Sequence, residues 1–233
     1  MRAVILTGGE GRRLRPYTTI LPKPLMPVGD KPILEIVVGQ LREAGFRRLT
    51  FAVGYLASLI QAYFGDGSRF GVTIDYSLER EPLGTAGPLS LIDRPAEDFL
   101  VMNGDVLTDL DFSSLMKAHR SSGASATLAV FRKEVRISLG ILSMDVEGSV
   151  TDYIEKPTLH YPVSTGIYCF RPEVLDFIVP NVRLDLPDLM RRLIDNGTRV
   201  KAFQFGGYWF DIGRPEDYKS AVEWLGQGDS PDG

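Results

Sequence analysis

Short unbroken apolar runs, each followed by a longer stretch with helical spacing, fill the first half of this chain and leave little choice of fold. Ala3–Leu6 is continuous and rich in β-formers, as a strand covered on both faces must be. Pro32–Ala44 then sets Ile33, Ile36, Val37 and Leu41 at helical spacing and stops before Gly45. Leu49–Val53 reads as a second strand, Leu56–Phe64 as a helix and Val72–Tyr76 as a third strand. Gly84–Leu91 opens another helix, and Phe99–Met102 is a fourth buried strand that ends in Asn-Gly-Asp. This alternation predicts an α/β fold, a Rossmann-like doubly wound sheet that is mixed but mostly parallel, with right-handed crossovers.

Beyond about residue 124 the rhythm changes. Ala124–Phe131, Gly140–Met144, Val150–Ile154 and Val163–Phe170 follow one another with few helices between them. They predict a smaller antiparallel extension that carries the acceptor side of a cleft. Helices over 172–178, 185–196 and 215–225 close the pattern. The expectation is one domain over 1–226, divided near 123/124 into two functional halves, with 227–233 as a frayed tail.

Composition enters mainly by exclusion. The 233 residues suffice for one large core. A formal charge of −4 argues against a nucleic-acid or membrane binder, whose footprint would be basic. Any positive patch must be local. The lone cysteine, Cys169, permits no internal disulfide and suits a reducing compartment. The first apolar run is too short for a signal peptide or a membrane span, so the expected location is cytoplasmic.

The local positive patch lies directly after the first strand, in GGEGRRLRPYTTILPKPLMPV, Gly8 to Val28. In a parallel sheet ligands bind at the carboxyl ends of the strands, so this segment lies over the binding edge. Gly8, Gly9 and Gly11 let backbone N–H groups approach a ligand and form anion-binding nests. Arg12, Arg13, Arg15 and Lys23 add charge suited to phosphate oxygens. Together they describe a polyphosphate site. Two familiar loops do not fit. No Gly-Lys-Ser/Thr follows the glycines, and Leu14 stands where the dinucleotide fingerprint requires its third glycine. Prolines 16, 22, 24 and 27 also forbid a helix directly after the glycines.

This segment resembles the signature of the sugar-1-phosphate nucleotidyltransferases, with Arg12 and Tyr17 departing from the usual Thr and Leu. EPLGTAGPL, NGD, EKP, TGIY and WFDIGRPEDY continue the resemblance in order along the chain. In wording it comes closest to the guanylyltransferases for mannose 1-phosphate and heptose 1-phosphate. The resemblance implies that Arg13 and Lys23 are catalytic cations on a triphosphate. It implies nucleotide contacts from Leu6, Gly8, Gly9, Gly11, Arg13, Lys23, Glu81, Gly84 and Thr85. Gly84 and Thr85 open the base-facing segment, where bare backbone can lie against a flat base.

Asp105 ends the fourth strand, facing the same edge as the glycines, and suits either a turn or Mg²⁺ ligation. Asp211, flanked by aromatic residues and Gly213, suits either a helix cap or a metal ligand; the family places its second ligand there. Glu155 and Lys156 suit either a solvated pair or a sugar-phosphate contact, a carboxylate accepting hydroxyls and an ammonium binding phosphate. Gly140, Thr165 and Gly166 resemble the remaining sugar contacts, although Ser164-Thr165-Gly166 replaces the Asn-Ala-Gly of many relatives. His119, His160 and Cys169 read as structural or solvated residues.

The implied reaction is transfer of a nucleotidyl group from an NTP, GTP foremost, to a mannose- or heptose-type sugar 1-phosphate, with pyrophosphate as leaving group, Asp105 catalytic and Mg²⁺ as cofactor. UTP, dTTP and a CTP-dependent phosphocholine-type reaction stand as alternatives, with a catalytically silent NDP-sugar-binding paralogue behind them. An NAD-dependent oxidoreductase is disfavoured by the missing third glycine. Partners are the two substrates, with neither nucleic acid nor membrane, and the resemblance implies a homo-oligomer.

Overall fold

The computed structural model describes residues 1–228, and side chains through Trp224. Seven strands form the central sheet: β1 (Arg2–Leu6), β2 (Arg48–Val53), β3 (Thr73–Leu78), β4 (Phe99–Asn103), β6 (Ala126–Arg136), β9 (Thr158–Phe170) and β10 (Val200–Phe205). Four shorter strands complete the β structure discussed below: β5 (Val106–Thr108), the hairpin pair β7 (Ile141–Met144) and β8 (Val150–Ile154), and β11 (Trp209–Asp211). Five α-helices accompany them: α1 (Ile33–Glu43), α2 (Ala57–Phe64), α3 (Phe112–Ser122), α4 (Leu186–Asp195) and α5 (Pro215–Gly228).

The sheet order is β10-β6-β9-β4-β1-β2-β3. β4, β1, β2 and β3 pair in parallel; β9 runs against both β4 and β6, and β10 is parallel to β6. Only β9 is therefore reversed, and the expected mostly parallel α/β sheet is what forms. Both faces are covered. Ala3 and Ile5 point into one apolar layer with α1, α2 and α3, while Val4 points into the other with α4. Alternation along one strand explains why this stretch is apolar without a break.

The helix expected over Gly84–Leu91 is instead a five-residue 3₁₀ turn, Gly87–Leu91. Gly84 has φ +80, and the N–H groups of Ala86 and Gly87 go to the carbonyl of Leu184 rather than into a helical ladder. The helix expected over 172–178 is likewise 3₁₀, Pro172–Phe177. β6 and β9 run further than their apolar cores suggest, because their outer halves pair with each other from Arg132↔Pro162 to Arg136↔Thr158. These outer halves and the β7–β8 hairpin make up the antiparallel extension. The expected tail at 227–233 begins inside α5, which continues to Gly228; 229–233 lie outside the described residues. Among the described residues no helix is long and apolar enough to cross a membrane.

Candidate active site

β1 delivers the chain to the carboxyl edge of the sheet, where Gly8–Leu25 folds over it. Gly11 has φ +61, and its carbonyl accepts hydrogen bonds from the Leu14 N–H (2.9 Å) and the Thr18 hydroxyl (2.9 Å). The prolines permit only three 3₁₀ turns, Arg12–Leu14, Tyr17–Thr19 and Lys23–Leu25, pinned by buried Leu14 and Leu25. The four cations of this loop separate into two pairs. Arg12 binds Glu10 through two hydrogen bonds (2.6 and 3.0 Å), and Arg15 lies 3.8 Å from the same carboxylate. Arg12 also holds the Glu10 carboxyl below its ordinary pKa. Lys23 is buried and forms an ion pair with Asp105, and Arg13 lies over Gly213, where a Cβ would come within 3.2 Å of its guanidinium.

Asp105 reaches the loop because Gly104 bends the chain after β4. Its N–H donates to the Leu6 carbonyl (2.9 Å), and a Cβ there would meet Thr7 at 2.7 Å. β5 then pairs antiparallel with β11, with Asp211 opposite Val106, and the Ile212 N–H donates to the Asp105 carbonyl (3.1 Å). That small ribbon sets the two carboxylates side by side. Oδ2 of Asp105 faces Lys23, whereas its Oδ1 is buried with no hydrogen-bond partner. Loss of solvent and then the negative charge of Asp105 push the Asp211 carboxyl above the ordinary carboxylate range, partly offset by Lys23 and Arg13. A buried orphan oxygen beside a second carboxylate that resists ionisation is a place a divalent cation would relieve. Among the described residues no cluster of three or more metal-ligating side chains occurs, so any cation would complete its shell from substrate oxygens and water.

Two cavities meet at Arg13. One, of about 250 Å³, is lined by Leu6, Thr7, Gly9, Gly11, Lys23 and Asp105 along with Arg12 and Arg13. The other, of about 440 Å³, is walled by Phe131, Lys133, Trp209, Asp211 and Arg214, again with Arg13.

The other residues singled out from sequence lie apart from that junction. Glu81 is exposed and lines neither cavity. The bare face of Gly84 is covered by Leu184, whose carbonyl would stand 2.6 Å from a Cβ, so it is not open to a base. Thr85 donates its N–H to Asp185 (3.0 Å) and accepts from the Leu186 N–H (2.8 Å), bracing the start of α4. Gly140, Glu155 and Lys156 form their own cluster on the extension. The Tyr153 hydroxyl donates to Glu155 (2.8 Å), Lys156 is 3.7 Å from Glu155, and a Cβ on Gly140 would strike Tyr153. The Thr165 hydroxyl turns into the sheet toward the Ala129 carbonyl (2.8 Å), and Gly166, at φ +76, lets the Asn103 side chain lie against its backbone.

Sequence reasoning missed Glu79, Lys133 and Arg214. Glu79 follows β3, its Oε1 fills the space where a Cβ on Gly8 would stand, and its Oε2 accepts the Leu83 N–H (3.1 Å). Burial raises its carboxyl above the ordinary value. A glycine at position 8 was legible as a close approach, but not which side chain would approach it.

The model of the nucleotidyl transferase family matches residues 2–227. A UTP–glucose-1-phosphate uridylyltransferase from Synechocystis is 39% identical over 95% of this chain and 62% of its own length. The catalytic subunit beta of a mannose-1-phosphate guanylyltransferase from Drosophila pseudoobscura is 36% identical over 95% of this chain and 61% of its own length. The chain thus spans about three fifths of these curated relatives. The crystal structure of HddC from Yersinia pseudotuberculosis complexed with GMP-PN superposes with a TM-score of 0.73 at 27% identity, covering 96% of this chain and 99% of that one.

Proposed function

Because the chain belongs to the nucleotidyl transferase family, we propose that it transfers a nucleotidyl group from an NTP to a sugar 1-phosphate. The observation that carries this reading is the convergence of Lys23, Arg13, Asp105 and Asp211 at the glycine-lined edge. An oxygen of the sugar phosphate attacks the α-phosphorus and forms the new P–O bond. The bond from that phosphorus to the oxygen bridging to the β-phosphate breaks, and its electron pair leaves with pyrophosphate. The nucleophile is already anionic, so no general base is needed, and catalysis is positioning and charge neutralisation.

Gly9 and Gly11 hold the triphosphate against backbone N–H groups, and Lys23 and Arg13 neutralise charge on its phosphates. Asp105 and Asp211 would hold Mg²⁺, which when bound adds Lewis-acid charge at the reacting phosphates. The sugar lies toward the extension, with Glu155, Lys156, Gly140, Thr165 and Gly166 on that side.

GTP is the donor this chain suits best. This reading puts the base on the β2–β3 side of the edge, and its support is Glu79, which stands there against Gly8 and Gly54. An ionised carboxylate only accepts hydrogen bonds, and guanine offers two adjacent donors, N1–H and the 2-amino group, whereas uracil offers one donor between two acceptors. The uridylyltransferase relative keeps UTP as the second reading.

The test is pyrophosphate release from GTP, UTP, dTTP, CTP and ATP, each with mannose 1-phosphate, a heptose 1-phosphate and glucose 1-phosphate. The expected leading pair is GTP with a mannose- or heptose-type acceptor, with Glu79→Gln eroding the preference for GTP. Turnover left intact in Asp105→Ala would refute the assignment of the site.

A further inference from the structure

The ribbon that brings Asp105 and Asp211 together is short for its task. β5 and β11 pair over three residues each, and a two-stranded ribbon is marginal on its own. It also works against repulsion, since it sets two carboxylates side by side. A slip of one residue in its pairing would turn Asp211 to the opposite face. One end is held by the Ile212 N–H on the Asp105 carbonyl (3.1 Å). The other end closes through side chains. The fully buried Thr108 hydroxyl donates to the Tyr208 carbonyl (3.0 Å), which the Asp109 N–H reaches only at 3.4 Å, and accepts the Leu110 N–H (3.1 Å). The Asp109 carboxylate accepts the Tyr208 N–H (2.9 Å), and a Cβ on Gly207, whose φ is +93, would strike that carboxylate. Gln40 of α1 donates to the Thr108 carbonyl (2.8 Å) and ties this end to a helix.

Neither Thr108 nor Asp109 lines either cavity at Arg13. Between them, however, their side chains capture both backbone polar groups of Tyr208, the residue that leads into β11, and Asp211 lies three residues further on. We propose that Thr108 and Asp109 are positioning residues, a latch that fixes the register of β11 on β5 and thereby how tightly Asp105 and Asp211 hold a divalent cation. This rests on the reading of that pair as the metal site for nucleotidyl transfer. With the latch closed, the two acids are presented together before a cation arrives. With the latch removed, ordering of β11 is left to the cation, and that ordering is subtracted from its affinity.

The test compares full-length wild type with Thr108→Val and Asp109→Ala, and with the conservative Thr108→Ser and Asp109→Asn. Uptake of Mn²⁺ is followed by loss of the free-ion electron paramagnetic resonance signal, with neither substrate present. In parallel, pyrophosphate release gives the free Mg²⁺ concentration at half-maximal rate, and the NTP and acceptor KM at saturating Mg²⁺. Thr108→Val and Asp109→Ala should each weaken Mn²⁺ binding and raise the Mg²⁺ requirement about 10-fold, as when the contacts supporting a metal ligand are removed. Both KM values should stay within about 2-fold of wild type. Thr108→Ser keeps the hydroxyl and Asp109→Asn keeps an acceptor oxygen, so both should recover most of the loss. Asp109 is exposed, so its variants decide the matter if Thr108→Val does not fold. Unchanged Mn²⁺ affinity overturns the proposal even if the melting temperature falls, and so does no recovery in the conservative variants or no Mn²⁺ uptake by wild type. If wild type releases no pyrophosphate from any pair of substrates, nucleotidyl transfer falls. The latch then stands if Asp109→Ala binds Mn²⁺ about 10-fold more weakly than wild type, and falls if the two bind it equally well or neither binds it.

Discussion

The parallel strands β1–β4 and the β7–β8 hairpin are held by different forces. Ala3, Val4 and Ile5 are wholly buried between two helical layers, and the loop after them inherits that rigidity. The hairpin pairs only with itself, and Met144 and Val146 are 65% and 104% exposed. Packing thus fixes the glycine-lined edge, the donor side on the proposed function, whereas the extension proposed to face the acceptor is built from partly solvated side chains. A nucleotide common to many enzymes can be met by a rigid edge. A sugar that differs from enzyme to enzyme is met by surface that tolerates substitution.

The contrast breaks most visibly in rate. Asp105→Ala or Lys23→Ala should lower kcat about 10²–10³-fold, measured by pyrophosphate release, because each removes a preorganised charge at the reacting phosphates. Comparable losses from substitutions within the hairpin would mean that the acceptor side is preorganised too. In stability, Phe51→Ala should cost about 3–5 kcal/mol by denaturant unfolding, since Phe51 is fully buried and packs edge-on against Phe64 and Tyr76. Leu142→Ser, on the hairpin, should fall within about 0.5 kcal/mol of wild type.

A smaller effect appears with pH. His119 is fully buried, with Nδ1 2.8 Å from the Thr127 hydroxyl and Nε2 unpartnered, and burial lowers its pKa from 6.5 despite Asp98 nearby. Below 6.5 the unfolded chain takes up a proton that the folded one refuses, so stability falls as pH drops from there toward the lowered native value. His119→Asn should flatten that slope in thermal melts from pH 7 to pH 5. Least of all, Arg15→Ala should change kcat/KM less than about threefold, because Arg15 faces Glu10 at the surface.

What the sequence discloses follows the same divide. β1, β2 and β4 are legible because burial on both faces forces uninterrupted apolar runs. Gly84–Leu91 misleads because a helix-like pattern is overruled by the carbonyl of Leu184, far away along the chain. By charge alone Arg12, Arg13 and Arg15 are alike; the family signature singles out Arg13, and the placement of Glu10 and Gly213 separates them physically. Lys133 lies in no recognisable pattern, and Arg214, although inside WFDIGRPEDY, is not marked there as a cavity residue, because the cavity they share forms only when β6 and the β11–α5 connection fold beside each other. Glu79 escapes notice for a similar reason, since its role depends on which glycine it covers.

The β5–β11 ribbon carries one more consequence, for the cell rather than for the site. Its pairing draws one carboxylate from the middle of the chain and the other from near its end. A nascent chain still on the ribosome, or one truncated before Trp209, contains the whole phosphate loop yet cannot bring its two acids together.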